Sequence, residues 1–256
     1  MLKHYFNVIP PMDLFFEIHR DLPREAPGSD ACTARALAMA PPLPNDPHIL
    51  DIGCGPGAHT LVLATQTGGH VTAIDTHQPY LDELTRRAEQ AHLASRIRAQ
   101  YGDMFALDFE DASFDLIWSE GAIYIIGFRE GLAAWHRFLK PGGALAVTEL
   151  TWLVDDPPDE ARRVWQAAYP AMKHVEENVA ILQEAGYTSL GHFPLPESAW
   201  WDHYYTPIEH RIAALRQRYQ NDAEALAVLD EEQREIDLYR RYSSSYGYVF
   251  YIMVNS

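Results

Sequence analysis

An apolar run that ends at an acid and opens into alternating glycines constrains this chain more than any other stretch: His48-Ile49-Leu50-Asp51-Ile52-Gly53-Cys54-Gly55-Pro56-Gly57. The run suits a buried strand, and the turn after it is one that glycine makes without a Cβ clash. A helix that starts directly behind the loop points its free N–H groups the same way as the loop backbone. The stretch therefore reads as a cradle for a nucleotide-type cofactor.

Around this cradle, short apolar strands alternate with amphipathic helices. Strands are expected at 48–52, 70–75, 97–101, 114–119 and 143–150, with helices at 58–66, 79–92 and 129–139. Strands spaced by helices of this length pair in parallel, which gives an α/β class, Rossmann-like, doubly wound sheet. Upstream, helices are expected near 11–19 and 30–40, the second capped by Ser29 and stopped by Pro41-Pro42. Downstream, helices are expected at 158–168 and 175–185 and a strand from Tyr187 to Leu195. Helices at 207–220 and 223–242 then precede a final strand at 246–254. The expected organisation is one domain, 1–256: an N-terminal lid (1–46), a cofactor-binding half (47–152) and a substrate-side half (153–256) with a helical cap at 207–242.

Composition narrows the function. Thirty-six Asp and Glu against 20 Lys and Arg leave a formal charge of −16, which repels a phosphate backbone, so no nucleic-acid partner is expected. The two cysteines, Cys32 and Cys54, support neither a disulfide framework nor a CxxC metal site, and no HxxxH or HExxH spacing occurs. No metal is expected. The start lacks the layout of a signal peptide, and no run of about 18 apolar residues appears. A cytoplasmic protein without a membrane partner is the expectation, and the sequence does not address its oligomeric state.

Gly53-Cys54-Gly55-Pro56-Gly57-Ala58 formally satisfies the dinucleotide fingerprint G-x-G-x-x-G/A, so a nicotinamide-dependent oxidoreductase stands as one reading. Three features favour an adenosyl-sulfonium cofactor instead. Asp51 lies two residues before the first glycine, where its charge opposes a pyrophosphate and suits a ligand carrying an ammonium and a sulfonium. Val71-Thr72-Ala73-Ile74-Asp75 ends in an acid 22 residues after Gly53, placed to accept both ribose hydroxyls, although a dehydrogenase has the same device. Gly102-Asp103-Met104 offers a carboxylate for an exocyclic amine and an apolar side chain for an adenine face.

Asp51–Gly57, Ile74-Asp75, Gly102-Asp103-Met104, Phe114-Asp115-Leu116-Ile117-Trp118 and Leu139-Lys140-Pro141-Gly142-Gly143 together resemble the class I S-adenosylmethionine-dependent methyltransferases. The resemblance implies a seven-stranded sheet of order 3-2-1-4-5-7-6 with strand 7 antiparallel. It places Gly53, Gly55 and Gly57 at the methionine part of the cofactor, Asp75 at the ribose, and Asp103 with Met104 at the adenine, with Thr76 and Gly102 as further cofactor-binding candidates. A closer likeness, in Pro27-Gly28-Ser29, Trp118–Tyr124 and Trp201–Pro207, is to a bacterial group distantly similar to the ubiquinone and menaquinone biosynthesis methyltransferases. It leaves the acceptor open.

Ligands of open α/β sheets bind beyond the carboxyl ends of the strands, which selects the remaining candidates. Ser119 and Glu120 end the fourth strand, and Glu120 is a candidate catalytic residue that contacts the cofactor amino group, orients the acceptor or transfers a proton; the alternative is a loop acid capping a backbone N–H. Tyr124, and Glu149 or Trp152 at the end of the fifth strand, are candidate walls. Trp201, His203 and Tyr204 lie in an aromatic run that offers flat walls, and His203 is the candidate base because its free pKa lies near neutrality. Gly28 and Ser29 are expected to fold over the cofactor with the lid. The expected activity is methyl transfer to the O, N or C atom of a small molecule by in-line displacement, which positioning alone accelerates. An RNA or protein methyltransferase of the same fold, or a cofactor-binding module without catalysis, are the rivals.

Overall fold

The computed structural model describes residues 12–255, so residues 1–11 of the expected lid lie outside the described residues. Two helices come first, α1 (Met12–Ile18) and α2 (Asp30–Met39), and the Ser29 hydroxyl caps the second by accepting from the Cys32 N–H. Strands and helices then alternate: β1 (His48–Ile52), α3 (Ala58–Thr67), β2 (His70–Asp75), α4 (Gln78–Gln90), β3 (Ile97–Tyr101), β4 (Phe114–Ser119), α5 (Phe128–Trp135) and β5 (Leu139–Trp152). They are followed by α6 (Asp159–Ala168), a two-residue β6 (Lys173–His174), α7 (Val175–Glu184) and β7 (Tyr187–Pro194). A helical insertion of α8 (Glu197–Trp200), a π-helical turn (Trp201–Tyr205), α9 (Thr206–Arg218) and α10 (Ala223–Tyr242) precedes the last strand, β8 (Tyr246–Asn255).

Side by side the strands run β3-β2-β1-β4-β5-β8-β7, with β6 attached to β5. β8 is antiparallel to both its neighbours, and β1 to β5 pair in parallel. Leaving aside the short β6, this is the expected order with its last strand reversed. The order turns back between β1 and β4, and a crevice opens there at the carboxyl ends. One apolar cluster joins Leu50, Ile117 and Leu145 to Leu132 of α5 and Leu182 of α7. The other joins Ile49, Trp118 and Phe250 to Ala36 of α2, Leu63 of α3 and Leu84 of α4. Each fully buried leucine contributes about 1.5–3 kcal/mol, so the frame beneath the crevice is held from both faces.

The main departures from the expected boundaries fall at two places. The fifth strand begins at Leu139, not 143, because Leu139 pairs with Phe114 and a register shift before Leu116 absorbs the Lys140–Gly143 turn. The helix expected to reach 139 accordingly stops at Trp135, and a 3₁₀ turn at His136–Phe138 leads into the strand. Helix also begins at Glu197, ten residues before the expected start at 207. Pro207 has no N–H and crowds the carbonyl one turn earlier, and the wider π turn just before it accommodates both defects without ending the helix.

Candidate active site

A cavity of about 460 Å³ lies over the carboxyl ends of β1 to β4. Its floor is the glycine loop. The N–H groups of Gly53 and Cys54 both donate to the Ile74 carbonyl, at 2.9 and 3.0 Å, which pulls the loop onto the end of β2. Gly53 has φ +75°, and a Cβ there would lie 2.5 Å from the Ala122 Cβ, so the backbone after β1 touches the segment after β4. Asp75 binds the floor together: one oxygen accepts from the Gly55 N–H at 3.0 Å and the other from the His77 N–H at 2.9 Å. Burial pushes its carboxyl up, against the pull of the His77, Gly55 and Thr76 N–H groups. Gly53, Gly55, Asp75, Thr76, Gly102, Asp103, Met104, Glu120 and Tyr124 all line the cavity.

Gly57 does other work. A Cβ on it would sit 2.1 Å from the Leu84 side chain, so it lets the loop pack on α4 and is not on the cavity wall. Asp51, expected at the ligand, is wholly buried below the loop. Thr60 Oγ1 donates to its Oδ2 at 2.6 Å, and His59 Nε2 lies 3.1 Å from its Oδ1. Asp51 thus anchors the first turn of α3. His59, which the sequence reading passed over, is the member of this trio that lines the cavity. Its signal was present: an acid just before the loop and an imidazole two residues after the last glycine meet across the turn. Cys54 is a packing residue, its thiol pushed up by burial and by the nearby charges of Asp51 and Asp75.

Glu120 lines the cavity but is not a free base. Its Oε1 accepts from Thr33 Oγ1 at 2.7 Å and Trp118 Nε1 at 2.9 Å, and its Oε2 accepts from Arg24 Nη1 at 3.1 Å. A carboxylate so engaged, only 5% exposed, fixes structure around it; the proton-transfer role is corrected accordingly. Ser119 is fully buried and donates to the Ile52 carbonyl at 2.9 Å, which ties β4 to β1 instead of facing the ligand.

The roof comes from α1 and the segment behind it. Phe15, Phe16, Arg24, Glu25, Ala26 and Pro27 line the cavity from above. Phe16 stacks on His77 with centroids 3.7 Å apart and meets Tyr80 edge-on. Arg87 of α4 holds the segment down by donating to the carbonyls of Pro23 and Leu22 at 3.0 and 3.2 Å. Gly28 and Ser29 belong to this segment but not to the cavity wall. The Gly28 N–H donates to the Ala199 carbonyl and a Cβ there would meet Glu120, so it passes behind that carboxylate, while Ser29 is spent capping α2.

The aromatic run is corrected as a whole. Consecutive helical side chains point around the axis and cannot form one wall. Trp200 stacks on Tyr239 at 4.0 Å, Trp201 lies under the Arg240 guanidinium, and Tyr204 is buried away from the cavity. His203 is exposed on the outer side of the π turn, with no access to the cavity. Trp152 packs edge-on against Tyr246 in the core. Of the proposed acceptor-side residues, Tyr124 is the one on the wall. Behind it, ring to ring at 6.3 Å, stands Tyr169, beside the buried Glu149. Burial pushes the Glu149 carboxyl up to about 8, opposed by the Tyr169 hydroxyl and the Leu150 N–H, and its Oε2 has no hydrogen-bond partner among the described residues.

Comparison with known proteins agrees with this geometry. A family model described as a methyltransferase domain matches residues 49–143. The chain is 32% identical over 233 residues to 27-O-demethylrifamycin SV methyltransferase of Amycolatopsis mediterranei, covering 85% of this chain and 80% of that protein. It is 28% identical over 173 residues to sterol 24-C-methyltransferase ERG6A of Gibberella zeae, covering 62% of this chain but only 44% of that one. Among solved structures, a methyltransferase from Geobacter sulfurreducens in complex with S-adenosylhomocysteine superimposes with a TM-score of 0.80 at 20% identity, over 96% of this chain and 99% of that one.

Proposed function

The chain belongs to the class I S-adenosylmethionine-dependent methyltransferases, and from that premise we propose that it methylates a small molecule received at the Tyr124 end of the cavity. The observation that carries this reading is the character of the walls. Arg24 is the one Lys or Arg among the described lining residues, and it is paired with Glu120. Phe105 and Ile125, which share the wall with Tyr124, are 63% and 52% exposed, so the rim is apolar. An apolar rim whose described residues carry no unpaired Lys or Arg suits an uncharged or lipophilic acceptor better than a phosphate backbone. The A. mediterranei relative is named for a rifamycin, which supports the same class of acceptor.

The walls also fit the cofactor. Asp75 at the end of β2 and Asp103 after β3 offer acceptors for hydroxyl and amine donors, and Ile74, Met104 and Phe105 offer apolar surface for a base. S-adenosylmethionine supplies an electrophilic methyl group on a sulfonium. The floor glycines, Asp75 and Asp103 hold the cofactor, and the roof of Phe15, Phe16 and Pro27 excludes water. Tyr124 orients the acceptor. No described helix is long and apolar enough to cross a membrane, and Cys32 and Cys54 are buried and free, which supports a reducing, cytoplasmic setting.

The test is transfer of tritiated methyl from S-adenosylmethionine into a cell extract, fractionated after reaction. Label is expected in the low-mass fraction. Label confined to RNA or protein overturns the reading.

A further inference from the structure

Three charged groups and one imidazole meet where the glycine loop runs into α3. His59 is only 7% exposed, yet it lines the cavity. Its Nε2 is committed to Asp51 Oδ1 at 3.1 Å, which leaves Nδ1 as the remaining polar atom of the ring. Asp51 itself is fixed by Thr60, so the imidazole cannot swing away without abandoning a buried carboxylate. Among the described residues no side chain caps the N-terminus of α3, whose N-cap is Gly57. The first-turn N–H groups and the ring therefore serve the same end of the cavity.

We propose that Asp51 positions His59 as the imidazolium that receives the carboxylate of the cofactor's methionine moiety, so that cofactor uptake is linked to a proton. The charges around the ring require this. Asp51 from β1, Glu120 after β4 and Arg24 from the roof surround the ring; Arg24 is shared between Glu120 and Asp30, and Glu25 on the roof is paired with His19. With His59 neutral, acids outnumber cations and a ligand carboxylate is repelled. With His59 protonated, the Asp51 charge is balanced and the helix terminus adds its own attraction for an anion. Burial and Arg24 push the His59 pKa down, but Asp51 and Glu120 push it up, and the balance is upward. Asp51 thereby acts on the ligand through a second residue, which accounts for an acid placed before the loop yet sealed beneath it.

The experiment is calorimetric binding of S-adenosylhomocysteine between pH 6 and 9, in buffers of different ionisation heat. The sulfide product is chosen because it lacks the sulfonium that lowers the pKa of the neighbouring amine. Affinity is expected to fall as pH rises, by up to about tenfold per pH unit above the His59 pKa, with proton uptake on binding. His59→Gln retains a donor for Asp51 without a titrating ring; it is expected to bind about tenfold more weakly at pH 6 and with a flat profile. Should that variant misfold, the wild-type protein with decarboxylated S-adenosylhomocysteine gives the same information, since a ligand without the carboxylate is expected to show no such slope. A flat wild-type profile overturns the proposal, as does an unchanged slope in His59→Gln or with the decarboxylated ligand. No acceptor is used, so failure here leaves the reading of the acceptor untouched.

Discussion

Arg24 Nη1 donates to Glu120 Oε2 at 3.1 Å, joining the roof to the end of β4 across 96 residues of sequence, with both side chains about 5% exposed. Breaking such a pair from one side strands a buried charge, whereas removing both partners removes the penalty with the bond. Arg24→Met is expected to destabilise the protein by about 3 kcal/mol in urea unfolding, while Arg24→Met with Glu120→Gln recovers most of that loss. Equal destabilisation in the single and double variants shows that the pair does not hold the roof.

Asp75 accepts from two backbone N–H groups and still lines the cavity, so it serves both loop and ligand. Asp75→Asn replaces one acceptor by a donor and leaves the side chain nearly isosteric. S-adenosylhomocysteine affinity is expected to fall about 100-fold, the equivalent of two hydrogen bonds to a charged group. Titration calorimetry measures it, and unchanged affinity removes Asp75 from the ribose.

Glu149 makes stability depend on pH. Its folded pKa, about 8, lies above the ordinary carboxyl value, so between the two the folded state holds a proton that the unfolded state has released. Stability is therefore present below the unfolded pKa and falls as pH rises toward 8, by at most about 5 kcal/mol. Glu149→Gln, which cannot ionise, is expected to lack that decline in denaturant midpoints measured from pH 5 to 8. Parallel profiles for the two proteins rule out a buried, neutral Glu149.

His203 is exposed, and Tyr124 is on the wall. His203→Ala is expected to shift stability by no more than about 0.5 kcal/mol and to leave both cofactor affinity and turnover unchanged. Tyr124→Ala is expected to lower turnover at least about tenfold with cofactor affinity preserved. Once an acceptor is in hand, steady-state kinetics of the two variants separate these roles, and a loss of turnover in His203→Ala returns that residue to the site.

The sheet was legible because parallel strands buried on both faces write themselves as apolar runs, each stopped by an acid or glycine where the chain leaves the core. Asp75 and Gly102-Asp103-Met104 were legible for the same reason: they occupy the last position of a strand or the first positions beyond one. The roof was not, because Arg24 meets Glu120, and Phe16 meets His77, through contacts between segments far apart in sequence. His203 misled by composition. An aromatic cluster in a linear stretch does not say which way a helix will turn each ring, and here a π turn sends the histidine outward. Asp51 was read as a ligand from its distance to the first glycine, yet the strand's alternation carries it inward to His59 and Thr60.

In the glycine loop, the N–H groups of Gly53 and Cys54 are taken by Ile74, that of Gly55 by Asp75 and that of Gly57 by Cys54. A loop that spends its donors on its own chain has none to wrap around a diphosphate, however well its glycines match that fingerprint. The charge it leaves beside the cavity is negative, the carboxylate of Asp75. The floor is in effect an electronegative plate, suited to a ligand whose middle is positive and whose only anionic end must find its partner elsewhere.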